Sequence, residues 1–179
     1  MIRGNSGSGK SSTALALRYA AGRGVALVQQ DLIRRNLLRE HDRPGGLNIE
    51  LIALNVRFCL EHDYDVILEG ILYADRYGDM IRTLIQEHRG RSFVYYYDIP
   101  FEETVRRHAF KDNSHDYGVK QMGEWFVEHD LLGVPGEQII GPEQTQEDTI
   151  AHILAEALPP RARPGSGLRP APMPEPANG

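Results

Sequence analysis

The pattern of hydrophobic and polar positions alternates between short β-rich runs and longer amphipathic stretches. This alternation predicts a mainly parallel sheet with helices on both faces, because parallel strands need crossover connections. The predicted strands are Met1–Arg3, Val25–Val28, Val66–Leu68, Phe93–Tyr97 and Gln138–Ile140. We therefore expect an α/β fold.

The predicted helices have apolar residues three or four positions apart. Residues 11–21 are rich in alanine and leucine, and Thr145–Asp148 resembles a capping box at the start of the last helix. One stripe at helical spacing comprises Leu47, Leu51, Leu54 and Phe58. The other helical segments are Met80–His88, Phe101–Phe110 and a stretch with Val119, Met122 and Phe126.

Residues 159–179 break this pattern, because they contain seven prolines and have no apolar periodicity. Such a segment cannot bury enough surface to offset its ordering entropy. We predict one folded domain over residues 1–158 and a disordered, proline-rich tail over residues 159–179. Only three residues precede the first glycine-rich loop. This predicts either a very short first strand or a true start upstream of Met1, and we favour the second.

The charge and cysteine content limit the classes of partner. The net charge is -5, and three arginines and one glutamate give residues 159–179 a charge of +2, so the remaining residues carry -7. An acidic domain repels a phosphate backbone, so we expect no non-specific nucleic-acid binding. Cys59 is the one cysteine, and no apolar run is long enough to span a membrane. We therefore expect a cytoplasmic protein without an intramolecular disulfide.

The most specific motif in the chain is GNSGSGKS, residues 4–11, which matches G-x-x-x-x-G-K-[ST] without a mismatch. Glycines let successive N–H groups turn inward around phosphate oxygens, and the following helix adds its positive end. Lys10 can reach the β- and γ-phosphates of ATP, and the Ser11 hydroxyl can bind Mg²⁺. The nucleotide-binding residues predicted from this P-loop are Gly4, Asn5, Ser6, Gly7, Ser8, Gly9, Lys10, Ser11 and Ser12.

Two acids follow predicted strands, at the edge of the sheet where ligands bind. Glu69 ends the run Asp65–Gly70 and is a candidate Mg²⁺ ligand, although an aspartate is more usual there. Asp31 follows the second strand and could accept the proton of an acceptor hydroxyl. If a helix begins at Asp31, Arg34 and Arg35 lie on its side, and Arg34 could anchor the acceptor. The alternative is a helix N-cap aspartate with solvated arginines.

A helical lid is predicted after the fourth strand. Arg106 and Arg107 precede the polar stretch 111–118, and a lid arginine could neutralise charge on the transferred phosphoryl group. Adjacent residues cannot both point inward, so we favour Arg107 over Arg106. Asp130 and Glu137 are weaker candidates for acceptor contacts, and Trp125 more often packs in a core than stacks on a ligand.

Together these residues resemble the small P-loop kinases of the nucleoside- and nucleotide-kinase-like superfamily. The branch they resemble includes chloramphenicol phosphotransferase, gluconate kinase, the kinase domain of polynucleotide kinase and zeta toxins. The motifs that carry this resemblance are Gly4–Ser11, Asp31-x-x-Arg34, Ile67–Gly70 and Phe101–His108.

The resemblance implies a three-layer α/β/α fold with a five-stranded parallel sheet in the order 2-3-1-4-5. It implies that Asp31 is the general base, Arg34 an acceptor anchor and Arg107 the lid arginine. The loop near Gly141 and Pro142 would flank adenine.

The sequence thus predicts a kinase that uses ATP and Mg²⁺ and phosphorylates a hydroxyl of a small molecule such as a nucleoside, sugar or antibiotic. One alternative is a kinase of nucleic-acid 5′ ends or nucleotide sugars, and another is a regulatory ATP-binding protein without an acceptor. We expect a monomer or a homodimer.

Overall fold

Over the described residues, each strand is followed by one or two helical segments. A computed structural model describes residues 1–110 and 117–159. The strands are β1 Ile2–Gly4, β2 Val25–Gln29, β3 Asp65–Gly70, β4 Val94–Tyr97 and β5 Glu137–Ile140. The α-helices are α1 Lys10–Ala21, α2 Leu47–Glu61, α3 Ala74–Glu87, α4 Phe101–His108, α5 Val119–Trp125 and α6 Gln146–Ala157, and a π-helical segment spans Leu32–Leu37.

The five strands form one parallel sheet in the order β2-β3-β1-β4-β5, which confirms the predicted topology. β1 is the central strand, since Ile2 pairs with Glu69 of β3 on one side and with Tyr95 of β4 on the other. All strands run in the same direction, so the loops that follow β1, β2 and β3 meet at one edge of the sheet.

Helices cover both faces of the sheet and bury two apolar clusters. One cluster includes Leu17 of α1 and Ile153 of α6, packed with Ile2 and Tyr95 of the sheet. The other includes residues of β3, α2 and α3, such as Leu68, Ile52, Tyr77 and Ile81. The burial of these side chains is the main force that holds the three layers together.

Three helices refine the sequence prediction. The predicted α2 is present, but Leu47, Leu54 and Phe58 are 68%, 60% and 60% exposed. Its buried residues are Asn48, Ile52, Ala53 and Val56, so most of the apolar stripe lies on the outer face, and only Leu51 of the stripe packs against the core. α3 begins at Ala74 rather than Met80. The predicted cap of α6 is confirmed, because the Thr145 hydroxyl accepts a hydrogen bond of 3.1 Å from the backbone N–H of Asp148.

Within the described ranges, no helix is both long and apolar enough to cross a membrane. Residues 111–116 of the predicted lid and residues 160–179 of the predicted tail lie outside the described residues.

Candidate active site

The glycine-rich loop connects β1 to α1. Gly4, Gly7 and Gly9 have φ values of 146°, 82° and 102°, a region that L side chains rarely adopt. Space is also short at two of them, because a Cβ on Gly4 would meet Tyr97 and one on Gly7 would meet the carbonyl of Thr104. The loop therefore requires glycine at these positions, and it leads into the N-terminus of α1, where helix N–H groups favour anions.

Lys10, the first residue of α1, is buried, and its ammonium group folds back over the loop. Its Nζ donates to the carbonyl oxygen of Asn5 over 3.3 Å. Asn5 in turn binds Val127 in both directions: its Nδ2 donates to the carbonyl over 2.8 Å, and its Oδ1 accepts from the N–H over 3.0 Å. The loop is thus fixed to the segment after α5, with the lysine charge held above it.

Glu69, at the end of β3, lies directly beside the start of α1. The Ser11 hydroxyl donates to Glu69 Oε1 over 2.7 Å, and Gln29 Nε2 donates to Glu69 Oε2 over 3.0 Å. Hydroxyl and carboxylate oxygens are the ligands that Mg²⁺ prefers, usually with phosphate oxygens and water completing its shell. Ser11 and Glu69 therefore fit a shared magnesium ion that also binds nucleotide phosphates.

Asp31 follows β2 and forms an ion pair with each of two neighbouring arginines. Its Oδ1 lies 2.7 Å from Arg34 Nη2 and 3.2 Å from Arg35 Nε, which is the predicted i+3 and i+4 arrangement. The side chain of Arg34 is only 10% exposed, and its Nη1 also donates to the carbonyl of Glu40, whereas Arg35 is 40% exposed. The geometry therefore favours Arg35, rather than the predicted Arg34, as the arginine that meets an acceptor.

Arg107, on α4, lies against the glycine-rich loop. Its Nη1 donates to the carbonyl of Ser8 over 2.8 Å, and its Nη2 lies 3.4 Å from the carbonyl oxygen of Pro142. Arg106 is 66% exposed and donates to the carboxylate of Glu103 through its Nε and Nη2. Hydrogen bonds from Arg106 and Arg107 lower the pKa of Glu103 to about 2, so this carboxylate stays charged and holds Arg107 in place.

Tyr117, at the end of the predicted lid, contacts the loop directly. Its hydroxyl lies 2.9 Å from the Ser6 hydroxyl, and its ring stacks on His108 with the centroids 4.5 Å apart. The guanidinium of Arg35 lies 6.0 Å from the Tyr117 ring and 5.6 Å from the Trp125 ring, within cation–π range. The sequence analysis did not select Tyr117 as a site residue, and no local motif marks it.

Several of these groups line one cleft, which has a volume of about 380 Å³ and which Arg107 and Arg34 do not line. Its lining includes Lys10, Ser11 and Glu69 beside the P-loop, and Asp31 and Arg35 after β2. The other lining residues are Ser6, Gly7, Gln29, Leu32, Asn36, Gly70, Ile71 and Tyr117. A second cavity of similar volume opens at the opposite edge of the sheet, near Met1 and Phe93, and contains none of the P-loop residues. We therefore take the first cleft as the candidate active site.

Asp130 lies in a buried ion-pair cluster instead of this cleft. Arg3, with a fully buried side chain, lies 3.0 Å from Asp130 and 3.2 Å from Glu137. The Asp130 carboxylate also accepts hydrogen bonds from the backbone N–H of Ala74. With its oxygens engaged in this way, Asp130 is better explained as a structural residue than as the predicted acceptor contact, and the same holds for Glu137.

No family model and no curated protein sequence matches this chain. Solved structures do match. An APS kinase from Mycobacterium tuberculosis, solved with AMPPNP and APS, is 16% identical to this chain with a TM-score of 0.64. The match covers 86% of this chain and 93% of the APS kinase chain.

A gluconokinase from Sinorhizobium meliloti is 16% identical with a TM-score of 0.57 and covers 86% of this chain and 87% of its own. A tunicamycin resistance protein from Deinococcus radiodurans is 15% identical with a TM-score of 0.59. The match covers 86% of this chain and 91% of the resistance protein chain. At this identity the likeness shows the fold: the chain has the fold of small P-loop kinases.

Proposed function

We propose that this protein is an ATP- and magnesium-dependent kinase that transfers the γ-phosphoryl group of ATP to a hydroxyl of a small acceptor. The observation that carries the proposal is that one cleft is lined both by P-loop groups and by the Asp31 carboxylate. Its nucleotide side has Lys10, Ser11 and Glu69, and its acceptor side has the Asp31 carboxylate. A kinase needs such a carboxylate in addition to a nucleotide site, because it can accept the proton of the acceptor hydroxyl.

On the nucleotide side, the backbone N–H groups of the loop and the N-terminus of α1 would bind the phosphates. Lys10 would exchange its contact with the Asn5 carbonyl for β- and γ-phosphate oxygens. Ser11 and Glu69 would hold Mg²⁺, which neutralises charge on the phosphates when bound. Arg107, already 2.8 Å from the Ser8 carbonyl, is placed to stabilise charge on the transferred group.

On the acceptor side, Asp31 would take the proton of the acceptor hydroxyl as its oxygen attacks the γ-phosphorus. The bond between that phosphorus and the β,γ-bridging oxygen breaks, and ADP leaves. The ion pairs with Arg34 and Arg35 hold the Asp31 carboxylate in place. Arg35 and Tyr117 line the space beside it, so they would contact the acceptor.

The size and charge of the protein favour a small acceptor. A cleft of about 380 Å³ is within the range of small-molecule sites. The acidic charge of residues 1–158 opposes a long polyanion such as a nucleic acid. The need for ATP and the single cysteine support a cytoplasmic setting.

The decisive experiment measures magnesium-dependent ADP formation against a panel of nucleosides, sugars and hydroxylated antibiotics. The unmodified protein is compared with Asp31→Asn and with Asp79→Asn, which removes an exposed carboxylate on α3. We expect one acceptor class to stimulate turnover, and Asp31→Asn to abolish that stimulation while ATP affinity is kept. Asp79→Asn should behave like the unmodified protein.

Two other results would contradict the proposal. Acceptor-stimulated turnover that survives in Asp31→Asn would remove Asp31 as the base. ATP binding without stimulation by any acceptor class, with hydrolysis unchanged by Asp31→Asn, would instead support the regulatory ATP-binding alternative.

A further inference from the structure

The outer face of α2 carries an aligned row of apolar residues that the described fold leaves largely exposed. Leu47, Leu54 and Phe58 are exposed, and Leu51 between them is partly buried because it also packs against the core. The residues that α2 packs into the core lie on the opposite side of the helix. Single exposed apolar residues are ordinary on a protein surface, but three of them aligned on one helix, with the partly buried Leu51 between them, indicate an interaction surface.

The spacing of this row is that of a helix–helix seam. The intervals of four, three and four residues follow a heptad, with Leu47 and Leu54 at d positions and Leu51 and Phe58 at a positions. At 3.6 residues per turn the four side chains fall within a sector of about 60°. α2 has 15 residues and is therefore about 22 Å long, enough to present the whole seam to one partner helix.

The charges beside the seam identify the partner as a second copy of this chain. Glu50 and Arg57 occupy consecutive g positions of the same heptad, on the same side of the seam. When two copies of α2 pair antiparallel about a two-fold axis, Glu50 of each copy faces Arg57 of the other. A parallel pair would place Glu50 opposite Asn55 instead, and would lose this complementarity.

Arg57 is available for such a contact. Its Nε donates to Glu87 of its own chain over 2.8 Å, and the guanidinium carries further N–H donors. The side chain is 40% exposed. One arginine can therefore bind Glu87 within its chain and Glu50 of the second copy.

We propose that the protein is a homodimer joined by an antiparallel pair of α2 helices. Leu47 packs on Phe58 of the second copy and Leu51 packs on Leu54, so each contact occurs twice, as a two-fold interface requires. None of the seam residues lines the candidate active-site cleft, so the seam and the cleft are separate surfaces. The interface is independent of the proposed kinase activity.

The experiment measures molar mass by light scattering and sedimentation over a concentration series of the full chain. We expect a dimer for the unmodified protein. The Leu54→Glu, Phe58→Glu variant should be monomeric, with its dissociation constant raised roughly 100-fold or more, because charges would be buried in the seam. Its circular dichroism and ATP affinity should stay unchanged. Tyr19→Glu, at an 80% exposed position on α1, is the control and should remain dimeric.

Charge reversal tests the antiparallel arrangement. In a Glu87→Gln background, which should itself be dimeric, Glu50→Arg and Arg57→Glu should each weaken the dimer, and their combination should restore it. An unmodified protein that is monomeric throughout, or a seam variant that stays dimeric, would overturn the proposal. Failure of the combined reversal to restore the dimer would overturn the antiparallel pairing.

Discussion

Ser11 and Glu69 are 58 residues apart in sequence, yet the Ser11 hydroxyl donates a 2.7 Å hydrogen bond to the Glu69 carboxylate. Parallel pairing of β1 with β3 produces this contact, because it sets the end of β3 beside the loop that follows β1. Two oxygen-bearing side chains of the kind that bind Mg²⁺ are thereby placed together.

Replacing Glu69 with glutamine should weaken magnesium binding without unfolding the protein. In Glu69→Gln one acceptor oxygen remains for the buried hydrogen bonds, but the charge that would attract the metal is lost. We expect the Mg²⁺ concentration needed for half-maximal turnover to rise by roughly 10- to 100-fold. A magnesium titration of ADP formation measures this. Glu87→Gln on the surface of α3 is the matched control, and an equal shift in both variants would exclude Glu69 as a metal-binding group.

Replacement of Arg107 should lower kcat far more than replacement of the adjacent Arg106. Arg107 contacts the P-loop through Ser8, whereas Arg106 is largely exposed and pairs with Glu103. We expect Arg107→Ala to lower kcat by about 10²- to 10³-fold, as for loss of a donor that stabilises transition-state charge. The kcat of Arg106→Ala should stay within about twofold of the unmodified value, because the exposed ion pair with Glu103 contributes little to stability. Steady-state kinetics of the two variants decide between them, and equal effects would contradict the assignment.

Replacing Arg34 should lower stability, whereas replacing Arg35 should weaken acceptor binding. Arg34 is nearly buried and holds the segment after β2 to Asp31 and Glu40, so Arg34→Ala should lower the free energy of unfolding by about 1–3 kcal/mol. Arg35 lines the cleft, so Arg35→Ala should raise the acceptor KM with little change in Tm. Thermal unfolding and acceptor titrations measure the two effects, and the opposite pattern would return Arg34 to the role of acceptor anchor.

The buried Arg3 should be among the most sensitive positions in the fold. Arg3→Met would leave Asp130 and Glu137 without their shared cation, and breaking a buried ion pair by removing one partner typically costs about 3–5 kcal/mol. Urea unfolding measures the loss. Asp130→Asn should lower stability while leaving the acceptor KM unchanged; a raised KM without a stability loss would support the acceptor contact predicted from sequence.

The contribution of the Glu103 ion pairs with Arg106 and Arg107 to stability should depend on pH. Its pKa is lowered from 4.5 to about 2 in the folded protein, chiefly by the hydrogen bond from Arg106 and then by that from Arg107. A depressed folded pKa contributes stability above the unfolded pKa, and that contribution is lost as pH falls from about 4.5 towards 2. The Tm difference between the unmodified protein and Glu103→Gln should therefore be present at pH 6 and shrink below pH 4.5. A constant difference would mean that Glu103 titrates normally.

Local features of the sequence were sufficient for the sheet and the phosphate site. The strand segments were found because parallel strands buried on both faces are continuous apolar runs, and the P-loop because its glycines and Lys10 are consecutive. The strand order, which the family resemblance supplied, agrees with the structure. The N-cap at Thr145 was found for the same reason as the P-loop, because a cap is formed by residues three positions apart.

Side-chain environments were less accessible to sequence reasoning. The α2 stripe has the period of a helix, but periodicity alone does not say whether that face meets the core or solvent. Asp130 and Glu137 follow α5 in sequence and could have faced the cleft, yet the buried Arg3, more than 120 residues away, holds both carboxylates. A buried arginine needs such partners, and sequence spacing does not reveal which ones it finds.

The sequence by itself thus determined the elements, the phosphate loop and the candidate acid–base groups, because these depend on neighbours within a few residues. Only the tertiary structure decided that Glu69 meets Ser11, that Arg35 rather than Arg34 lines the cleft, and that Tyr117 reaches Ser6. These relationships depend on strand register and on which helix face is buried. Both are set by packing between segments that are distant in the chain.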